Sequence, residues 1–394
     1  MADPWLSIIG LGEDGPAGLS EASRRALATA TRVFGAPRHL SLAGIDPARA
    51  AEWPIPFDLA PLLARRGEPT AMLVSGDPFW FGAGGSVAAH LNPSEWQAHP
   101  VAGTFSLFAA RMGWRLEETL CLGLHAAPFA RLRPVLTRGT RALCTLRDPA
   151  ALPALQAWLR DNGFAAARLT VGECLGGPRE RLRTAADVTP DLTAPLAVAI
   201  DGTDLPPSAG LPRASGLPDA LFANDGQITR RPVRALTLSA LAPRPGERLW
   251  DIGAGSGSIS VEWCLAGGTA IAIEPRPDRA ANIRANAAAF GIEHRLTVTE
   301  GSAPTALATL PIPDAVFIGG GGDAALHAHL WETLPPGTRL VANGVTLETE
   351  ATLAARHAAH GGHLLRIDLA EATPLGRFHG WTAARPVVQW SVTR

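Results

Sequence analysis

Three glycines at alternate positions follow an apolar run and an aspartate in the second half of the chain. The segment RLWDIGAGSGSIS contains Asp251 and then Gly253, Gly255 and Gly257. Glycine lets a ligand approach the backbone closely, and the helix after such a turn directs its first amides at a negative group. The G-x-G-x-G spacing differs from the G-x-G-x-x-G pattern of dinucleotide-binding proteins. We therefore expect a nucleotide-like ligand without a pyrophosphate.

An acidic residue ends the next predicted strand. Glu274 follows Gly257 by 17 residues, and a carboxylate there can accept hydrogen bonds from both ribose hydroxyls. A further predicted strand ends at Glu300, and residues 300–303 lie where an adenine would be placed. These features favour S-adenosylmethionine, whose small amino-acid carboxylate would face the helix N-terminus. The alternative is a tight turn that binds no ligand.

Length and composition limit the class of protein. A chain of 394 residues is long for one core, so we expect two domains. The composition is 46% hydrophobic and 18% charged, and no apolar run is long enough to span a bilayer. The net charge of −1 gives no basic surface for nucleic acid, which disfavours a nucleic-acid methyltransferase. All 35 basic residues are arginines, which reflects either coding bias or recognition of carboxylates.

The N-terminus and the cysteines indicate the compartment. The first residues show no basic leader before an apolar core, so we expect no secretory signal. The four cysteines lie far apart and form no CxxC pair. We therefore predict reduced thiols in a cytoplasmic protein with no membrane partner.

Composition also predicts where the domains divide. Residues 204–226 are rich in Pro, Gly, Ser and Ala and predict a linker between a domain at 1–203 and a domain at 227–394. On both sides, short apolar runs alternate with helical patterns, as in α/β proteins. Only a loop joins the last two predicted strands, so we expect them to pair antiparallel. The strands predicted in the second half are Arg248–Ile252, Thr269–Ile273, Leu296–Glu300, Ala315–Ile318, Arg339–Ala342, His363–Leu369 and Val387–Val392.

The second half resembles a known family. The segment GQITRRPVRALTLSALAPRPGERLWDIGAGSGSISVEW and the later NGVTLET are similar to the precorrin methyltransferases of cobalamin biosynthesis that also decarboxylate. The resemblance runs from about Leu217 to the C-terminus. It implies a Rossmann-like class I methyltransferase fold with a seven-stranded mixed sheet and S-adenosylmethionine as cofactor. The cofactor-binding residues expected here are Thr229, Asp251, Gly253, Ala254, Gly255, Ser256, Gly257, Glu274 and Ala303.

The first half resembles a different family, the tetrapyrrole methyltransferases. The matching segments are GLGEDG, SGDPFWFG and HPVAGTFS. The resemblance implies two α/β subdomains with a second S-adenosylmethionine site in the cleft between them. The chain departs from the family's pattern at Glu13 and Asp14, where Gly-Pro-Gly is usual, and at the Ala and Thr of PVAGTFS. The cofactor-binding residues that the resemblance implies are Gly10, Gly12, Ser75, Gly76, Asp77, Gly103, Thr104 and Ser106.

The order of the two halves resembles a fused, bifunctional family of corrinoid methyltransferases. That resemblance implies methylation of two meso carbons of precorrin-6B, the dihydro form, and loss of CO2 from an acetate arm to give precorrin-8. The first domain would methylate C5, and the second would methylate C15 and decarboxylate the C12 acetate. An enamine-like carbon can attack a sulfonium methyl directly, so the protein mainly aligns the two reactants. The alternative is one active domain and one docking domain; in either case we expect a homo-oligomer.

A tetrapyrrole with several carboxylates should bind arginines and helix N-termini. Each candidate arginine is equally well explained as a solvated surface residue. The predicted substrate-binding residues are Arg231, Arg234, Asn343, Arg377 and Trp381, with Arg230 as a further candidate.

Two residues are candidates for proton chemistry. His379 could supply the proton that decarboxylation needs, or it could be a structural histidine. Asp77 could act on a ligand, or it could cap the turn that follows it. His357, His360 and His363 are closely spaced, but this spacing is not a dedicated ligand set, and we expect no metal.

Overall fold

The chain folds into two compact units in the computed structural model. The boundary between them near residue 209 lies inside the segment predicted as a linker. The structure describes residues 4–186, 191–320 and 322–394. Unit 1 comprises Met1–Phe129 and Leu136–Ala209, and unit 2 comprises Ala130–Val135 and Gly210–Arg394. Segment Ala130–Val135 thus belongs to the second unit although it lies within the first half of the sequence. No sequence pattern predicted this assignment.

Unit 1 contains two sheets of five strands each. The strands are β1 (Leu6–Leu11), β2 (Arg32–Gly35), β3 (Ala50–Glu52), β4 (Thr70–Ser75), β5 (Trp96–His99), β6 (Leu120–Gly123), β7 (Arg141–Leu146), β8 (Arg168–Glu173), β9 (Arg181–Thr184) and β10 (Leu196–Asp201). The helices are α1 (Glu21–Thr29), α2 (Pro37–Leu42), α3 (Ala60–Leu63), α4 (Gly84–Ala88), α5 (Thr104–Met112) and α6 (Ala151–Asp161).

The first sheet is entirely parallel, in the order β3-β2-β4-β1-β5. Ile9 and Leu11 of β1 pack in one apolar cluster, and Leu6 and Ile8 pack in another. Successive side chains of a strand point to opposite faces, so both faces of this sheet are buried, as parallel sheets require. The second sheet, β6-β7-β10-β8-β9, is mixed.

Unit 2 is built on one seven-stranded sheet in the order β13-β12-β11-β14-β15-β19-β16. Its strands, with those of a separate hairpin, are β11 (Arg248–Ile252), β12 (Thr269–Glu274), β13 (Leu296–Glu300), β14 (Ala315–Ile318), β15 (Arg339–Gly344), β16 (His363–Ile367), β17 (Ala370–Leu375), β18 (Phe378–Ala383) and β19 (Val387–Thr393). Its helices are α7 (Arg231–Leu241), α8 (Ser258–Leu265), α9 (Pro277–Ala289), α10 (Ala324–Thr333) and α11 (Leu347–His360).

The strand pairing in unit 2 confirms one prediction made from the sequence and contradicts another. Strands β11 to β15 are parallel, and β19 pairs antiparallel with both β15 and β16. The expected antiparallel final pair is therefore confirmed. The connection between β16 and β19 was predicted to be only a loop, and this was wrong. It contains the antiparallel hairpin β17–β18, which forms its own two-stranded sheet.

The second half of the predicted linker belongs to the core of unit 2. Leu217 and Phe222 are buried in the same apolar cluster as Leu249 and Phe290. The rings of Phe222 and Phe290 lie 5.1 Å apart. Apolar side chains spaced along a Pro- and Gly-rich segment anchor it, so unit 2 begins before residue 227.

Two further observations concern both units. Among the residues described, no helix has both the length and the apolar character needed to cross a membrane. The thiols of Cys121, Cys144, Cys174 and Cys264 are free, and all but Cys121 are buried. Burial raises the pKa of the Cys264 thiol to about 12, so this group is an inert part of the core.

Candidate cofactor and substrate sites

The glycine-rich turn of unit 2 joins β11 to α8. Gly253, Gly255 and Gly257 have φ values of +69°, +59° and +70°, in the left-handed region that disfavours other residues. A Cβ on Gly253 would also lie only 2.7 Å from the carbonyl oxygen of Gly320, in the loop after β14. The alternate glycines therefore let two loops meet backbone to backbone at the carboxyl end of the sheet.

Glu274 braces this turn from the neighbouring strand. It is the last residue of β12, and its carboxylate accepts hydrogen bonds from the amides of Gly255 at 2.8 Å and Arg276 at 3.1 Å. Because β11, β12 and β13 are parallel and end at matching register, Glu274 and Ala303 follow their strands at one edge of the sheet. A ribose contact by Glu274 stays a prediction.

Asp251 supports the turn from beneath. Its side chain is almost completely buried, and one carboxylate oxygen accepts from the Ser260 amide at 3.2 Å and the Ser260 hydroxyl at 2.7 Å. Burial, reinforced by the Glu274 charge, raises the pKa of Asp251 to about 6 against the opposing effect of Ser260. This contact with α8 uses one carboxylate oxygen, and the cofactor contact predicted for Asp251 stays a prediction. Within the described part of the chain, Asp251 Oδ1 and the buried Ser256 Oγ have no hydrogen-bond partner.

Arg234 corrects the sequence prediction of a substrate-binding residue. Its side chain has no exposed surface, and its guanidinium lies 2.6 Å from Glu262 and 2.9 Å from Asp219. It also donates to the carbonyl oxygens of Thr229 and Leu217. A side chain with all of these partners and no open surface fixes the segment before α7, which includes Thr229, instead of meeting a ligand.

The other predicted arginines near α7 are exposed. Arg231 is the first residue of α7, and Arg230, just before it, is 67% exposed and 3.6 Å from Asp219. The ligand-binding roles of both residues stay predictions.

Asn286 and Glu262 were missed by sequence reasoning. The Asn286 amide donates to the carbonyl oxygens of Ser256 and Ala223, each at 2.9 Å, and accepts from the Ala223 amide at 2.8 Å. Glu262 accepts from the backbone amides of Gly216 and Leu217. Asn286 is on the buried face of α9 with Ile283 and Ala287, and a polar residue on an apolar helix face is the signal that could have identified it.

The remaining predicted substrate residues of unit 2 lie in two places. Arg377, His379 and Trp381 belong to the exposed β17–β18 hairpin, where Trp381 is 79% exposed. The half-buried Asn343, next to last in β15, belongs to a polar network. It donates to Thr237 Oγ1 and accepts from Gln389 Nε2, both at 2.9 Å. The proton-donor role of His379 and the substrate contacts of this group stay predictions.

A cavity of about 260 Å³ lies between the two sheets of unit 1. The residues on its wall come from the loops after β1 and β4, the start of α5, and strands of the second sheet. A Cβ on Gly10 would lie 1.9 Å from the Gly76 carbonyl oxygen, and one on Gly76 would lie 2.6 Å from Gly103 Cα. The residues predicted from the sequence that line this cavity are Gly12, Ser75, Gly76, Asp77, Gly103, Thr104 and Ser106.

Asp77 has the turn-capping geometry that the sequence left open as one alternative. Its Oδ1 accepts from the Phe79 amide at 2.8 Å while the residue also lines the cavity. Trp80 and Phe81 of the same loop pack against Phe105 with ring centroids 5.8 and 5.5 Å apart. The loop thus presents an aromatic wall to the cavity.

The histidines that suggested a metal site have other contacts. His360 stacks on Trp331 with ring centroids 3.9 Å apart, and His357 Nδ1 is 3.2 Å from the Gly361 carbonyl oxygen. No group of three or more His, Cys, Asp or Glu residues that could hold a metal ion occurs in the described ranges.

Comparison with known proteins places both halves in families. Residues 6–188 match the family described as tetrapyrrole (corrin/porphyrin) methylases, and residues 220–394 match the precorrin methyltransferase domain. Together with the two α/β folds and the two glycine-lined sites, these matches define a two-unit tetrapyrrole methyltransferase.

Full-length relatives narrow this class. A precorrin-6Y C(5,15)-methyltransferase [decarboxylating] from Sinorhizobium sp is 48% identical over 404 residues, which cover 100% of this chain and 97% of the relative. One from Mycobacterium tuberculosis (strain CDC 1551 / Oshkosh) is 40% identical, covering 99% and 100%. The solved C-terminal domain of the precorrin-6Y C5,15-methyltransferase from Rhodobacter capsulatus is 62% identical, covers 47% of this chain and 100% of that chain, and has a TM-score of 0.46. The chain belongs to the precorrin-6Y C(5,15)-methyltransferase [decarboxylating] family. The predicted family, fold class and enzyme class are thereby confirmed.

Proposed function

We propose that this chain transfers two methyl groups from S-adenosylmethionine to meso carbons of precorrin-6B and removes CO2 from one acetate arm to give precorrin-8. The observation that carries the proposal is the presence of a separate glycine-lined site in each unit. Unit 1 methylates C5; unit 2 methylates C15 and decarboxylates the C12 acetate. Each chain therefore binds two S-adenosylmethionine molecules. We also propose that the protein is cytoplasmic and forms a homo-oligomer.

The residues of both units suit this cofactor. In unit 2 the left-handed glycines keep side chains out of the turn before α8, and the buried Ser256 hydroxyl has no partner among the described residues. In unit 1 a Cβ on Gly10 would collide with the Gly76 carbonyl and one on Gly76 would collide with Gly103, so neither of these two positions accepts a side chain. Such cradles accept a ligand with a small carboxylate and an adenosine. When bound, S-adenosylmethionine supplies an electrophilic methyl group on a sulfonium.

The protein's contribution to methyl transfer is alignment and exclusion of water. Glu274 holds the Gly255 amide and thereby fixes the turn, and Asn286 holds the carbonyl of Ser256 from the other side. In unit 1, Trp80 and Phe81 give the cavity an apolar wall on which a flat conjugated ring can pack. A nucleophilic meso carbon held in line with the methyl donor needs no general base for the bond to form.

Decarboxylation requires a proton as well as alignment. The bond between the acetate methylene and the carboxylate carbon breaks, CO2 leaves, and the electron pair passes into the conjugated macrocycle. A proton then adds to the methylene carbon, which becomes a methyl group. His379 on the exposed hairpin supplies this proton, because an imidazolium ring carries N–H donors at both nitrogens.

Mass spectrometry of the product tests the proposal. Purified enzyme with precorrin-6B and S-adenosylmethionine should yield a product with two added methyl groups and one CO2 lost, and equilibrium dialysis should find two cofactors per chain. A product with one methyl and all carboxylates retained would contradict the proposal.

Two variants assign the steps to the units. Gly255→Ala puts a methyl group where the nearest atom, the Gln227 carbonyl oxygen, is 3.5 Å away, and Gly103→Val puts its Cβ 3.5 Å from the Asp77 amide. Neither Cβ clashes with the fold, and both enter the proposed cofactor sites. Because the φ of +59° strains an alanine at position 255, thermal unfolding checks that each variant is folded. Gly255→Ala should abolish C15 methylation and decarboxylation, and Gly103→Val should abolish C5 methylation alone. If either variant loses both methyl transfers, the two sites are not independent. If one of the variants keeps both methyl transfers, the alternative of a single active unit is favoured.

A further inference from the structure

Arg38 projects into the unit 1 cavity from the start of α2. Its guanidinium pairs with Glu13, and its Nη2 lies 3.1 Å from Ser75 Oγ and 3.0 Å from His39 Nε2. His39 Nε2 is in turn 2.8 Å from Ser75 Oγ. Arg38, Ser75 and Glu13 all line the cavity, so the guanidinium is held at its wall by groups from the loop after β1, from α2 and from the end of β4.

The exposure of these groups determines which of them a ligand meets. The Arg38 side chain is 40% exposed, whereas that of Glu13 is only 9% exposed. Glu13 also lies 3.5 Å from Arg179, so the three side chains together carry one net positive charge. The other carboxylate on the wall, Asp77, is directed to the Phe79 amide at its turn. An entering anion therefore meets more of the Arg38 guanidinium than of the Glu13 carboxylate.

The guanidinium also retains donors for a ligand. Arginine has five N–H donors in a planar fork that matches a carboxylate. Three of them account for the contacts to Glu13, His39 and Ser75 among the described residues. Burial, together with the Arg38 charge, lowers the pKa of His39 to about 4, so the imidazole is neutral at pH 7 and can accept from Arg38. A neutral support holds the guanidinium without cancelling its charge.

We propose that Arg38 binds a side-chain carboxylate of the tetrapyrrole in the unit 1 cavity, with Glu13 and His39 holding its guanidinium in place. This inference rests on the proposed C5 methylation by unit 1. It also explains why Glu13 occurs where the tetrapyrrole methyltransferases usually have Gly-Pro-Gly, because its carboxylate positions the Arg38 guanidinium. The tetrapyrrole has several carboxylates, whereas the cofactor has one. The cofactor carboxylate binds at the glycine backbones, so Arg38 is left for a carboxylate of the tetrapyrrole.

The test uses the full-length enzyme and steady-state kinetics of each methyl transfer. Arg38→Met keeps the apolar stem and removes the charge, and Arg38→Lys keeps the charge but removes the fork. Arg66→Met is the matched control, because Arg66 is 54% exposed and pairs with the shielded Glu95 but does not line the cavity. Thermal unfolding and C15 methylation by unit 2 report on whether each variant is folded.

Arg38→Met should raise the KM for the tetrapyrrole in C5 methylation by about 10- to 100-fold, the effect of losing a hydrogen bond to a charged group. Arg38→Lys should show a smaller rise, and Arg66→Met none. The KM for S-adenosylmethionine and the rate of C15 methylation should not change in any of them.

Two results would overturn the inference. An unchanged tetrapyrrole KM in folded Arg38→Met would show that the guanidinium has only a structural role. A rise confined to the KM for S-adenosylmethionine would assign the bound carboxylate to the cofactor. If the wild-type enzyme itself adds no methyl at C5, the proposed function of unit 1 fails before any variant is measured, so the two failures are distinguishable.

Discussion

Replacing Arg234 by methionine tests whether this arginine is a structural residue or a substrate ligand. Arg234 has no exposed surface, and it lies 2.6 Å from Glu262 and 2.9 Å from Asp219. Its guanidinium also lies over the Phe222 ring, 4.7 Å from the centroid. Methionine can fill the apolar part of this space, but it leaves Glu262 buried without a cation.

The expected cost follows from that uncompensated charge. In Arg234→Met, Glu262 still accepts from the Gly216 and Leu217 amides at 2.6 and 2.9 Å, which lessens the loss but does not neutralise the carboxylate. Removing one partner of a buried ion pair costs about 3–5 kcal/mol. For a unit of this size, that free energy corresponds to a melting temperature lower by about 6–20 °C.

Differential scanning calorimetry of the full-length protein measures this change in the transition of unit 2. Arg230→Met is the matched control: Arg230 is 67% exposed and 3.6 Å from Asp219, so its loss should cost less than about 1 kcal/mol. If Arg234→Met unfolds at the wild-type temperature and instead raises the KM for the tetrapyrrole, Arg234 is a substrate ligand and the structural reasoning is wrong.

Three further predictions concern unit 2. Folding raises the pKa of Asp251 from 3.8 to about 6. Its contribution to the free energy of unfolding is therefore fully present below pH 3.8 and is lost as the pH rises through 6. Urea unfolding should therefore show wild type losing about 2 kcal/mol relative to Asp251→Asn between pH 4 and pH 8, and a constant difference would refute the shift. Asn343→Ala should lower the free energy of unfolding by about 1–3 kcal/mol, since it leaves the buried Gln389 amide short of an acceptor, and an unchanged urea midpoint would contradict this. Arg377→Ala and Trp381→Ala on the exposed hairpin should raise the tetrapyrrole KM while changing stability by less than about 0.5 kcal/mol; unchanged kinetics would remove the hairpin from the substrate site.

Features encoded by neighbouring residues could be predicted from the sequence. The alternate glycines after β11 require positive φ values, and the structure has them at all three positions. The seven strands of the large sheet in unit 2 were predicted to within two residues, because most of them are short apolar runs that end at turn residues, whereas the hairpin β17–β18 was missed. The loops that line the unit 1 cavity were found by family resemblance. The mutual approach of Gly10, Gly76 and Gly103 depends on three segments that are distant in the sequence.

Long-range polar pairs could not be predicted in the same way. Arg234 and Glu262 are separated by 28 residues, and Asn286 and Ala223 by 63, and no local spacing relates such partners. Segment Ala130–Val135 is a similar case, since only its contacts place it with unit 2. The sequence showed the types of these residues, but burial and pairing are properties of the assembled sheet and helices.

Arg234 shows how a charged residue is misjudged when charge alone guides the prediction. Every basic residue of this chain is an arginine, so residue type cannot separate ligand-binding cations from structural ones. The position of an arginine on its helix can separate them. Val233, Thr237, Leu238 and Leu241 are the other buried residues of α7, and positions three and four apart share one helix face. Arg234 is three residues before Thr237 and four before Leu238, so it had to be buried with them, and a buried guanidinium needs fixed acceptors that leave none of its surface to a substrate.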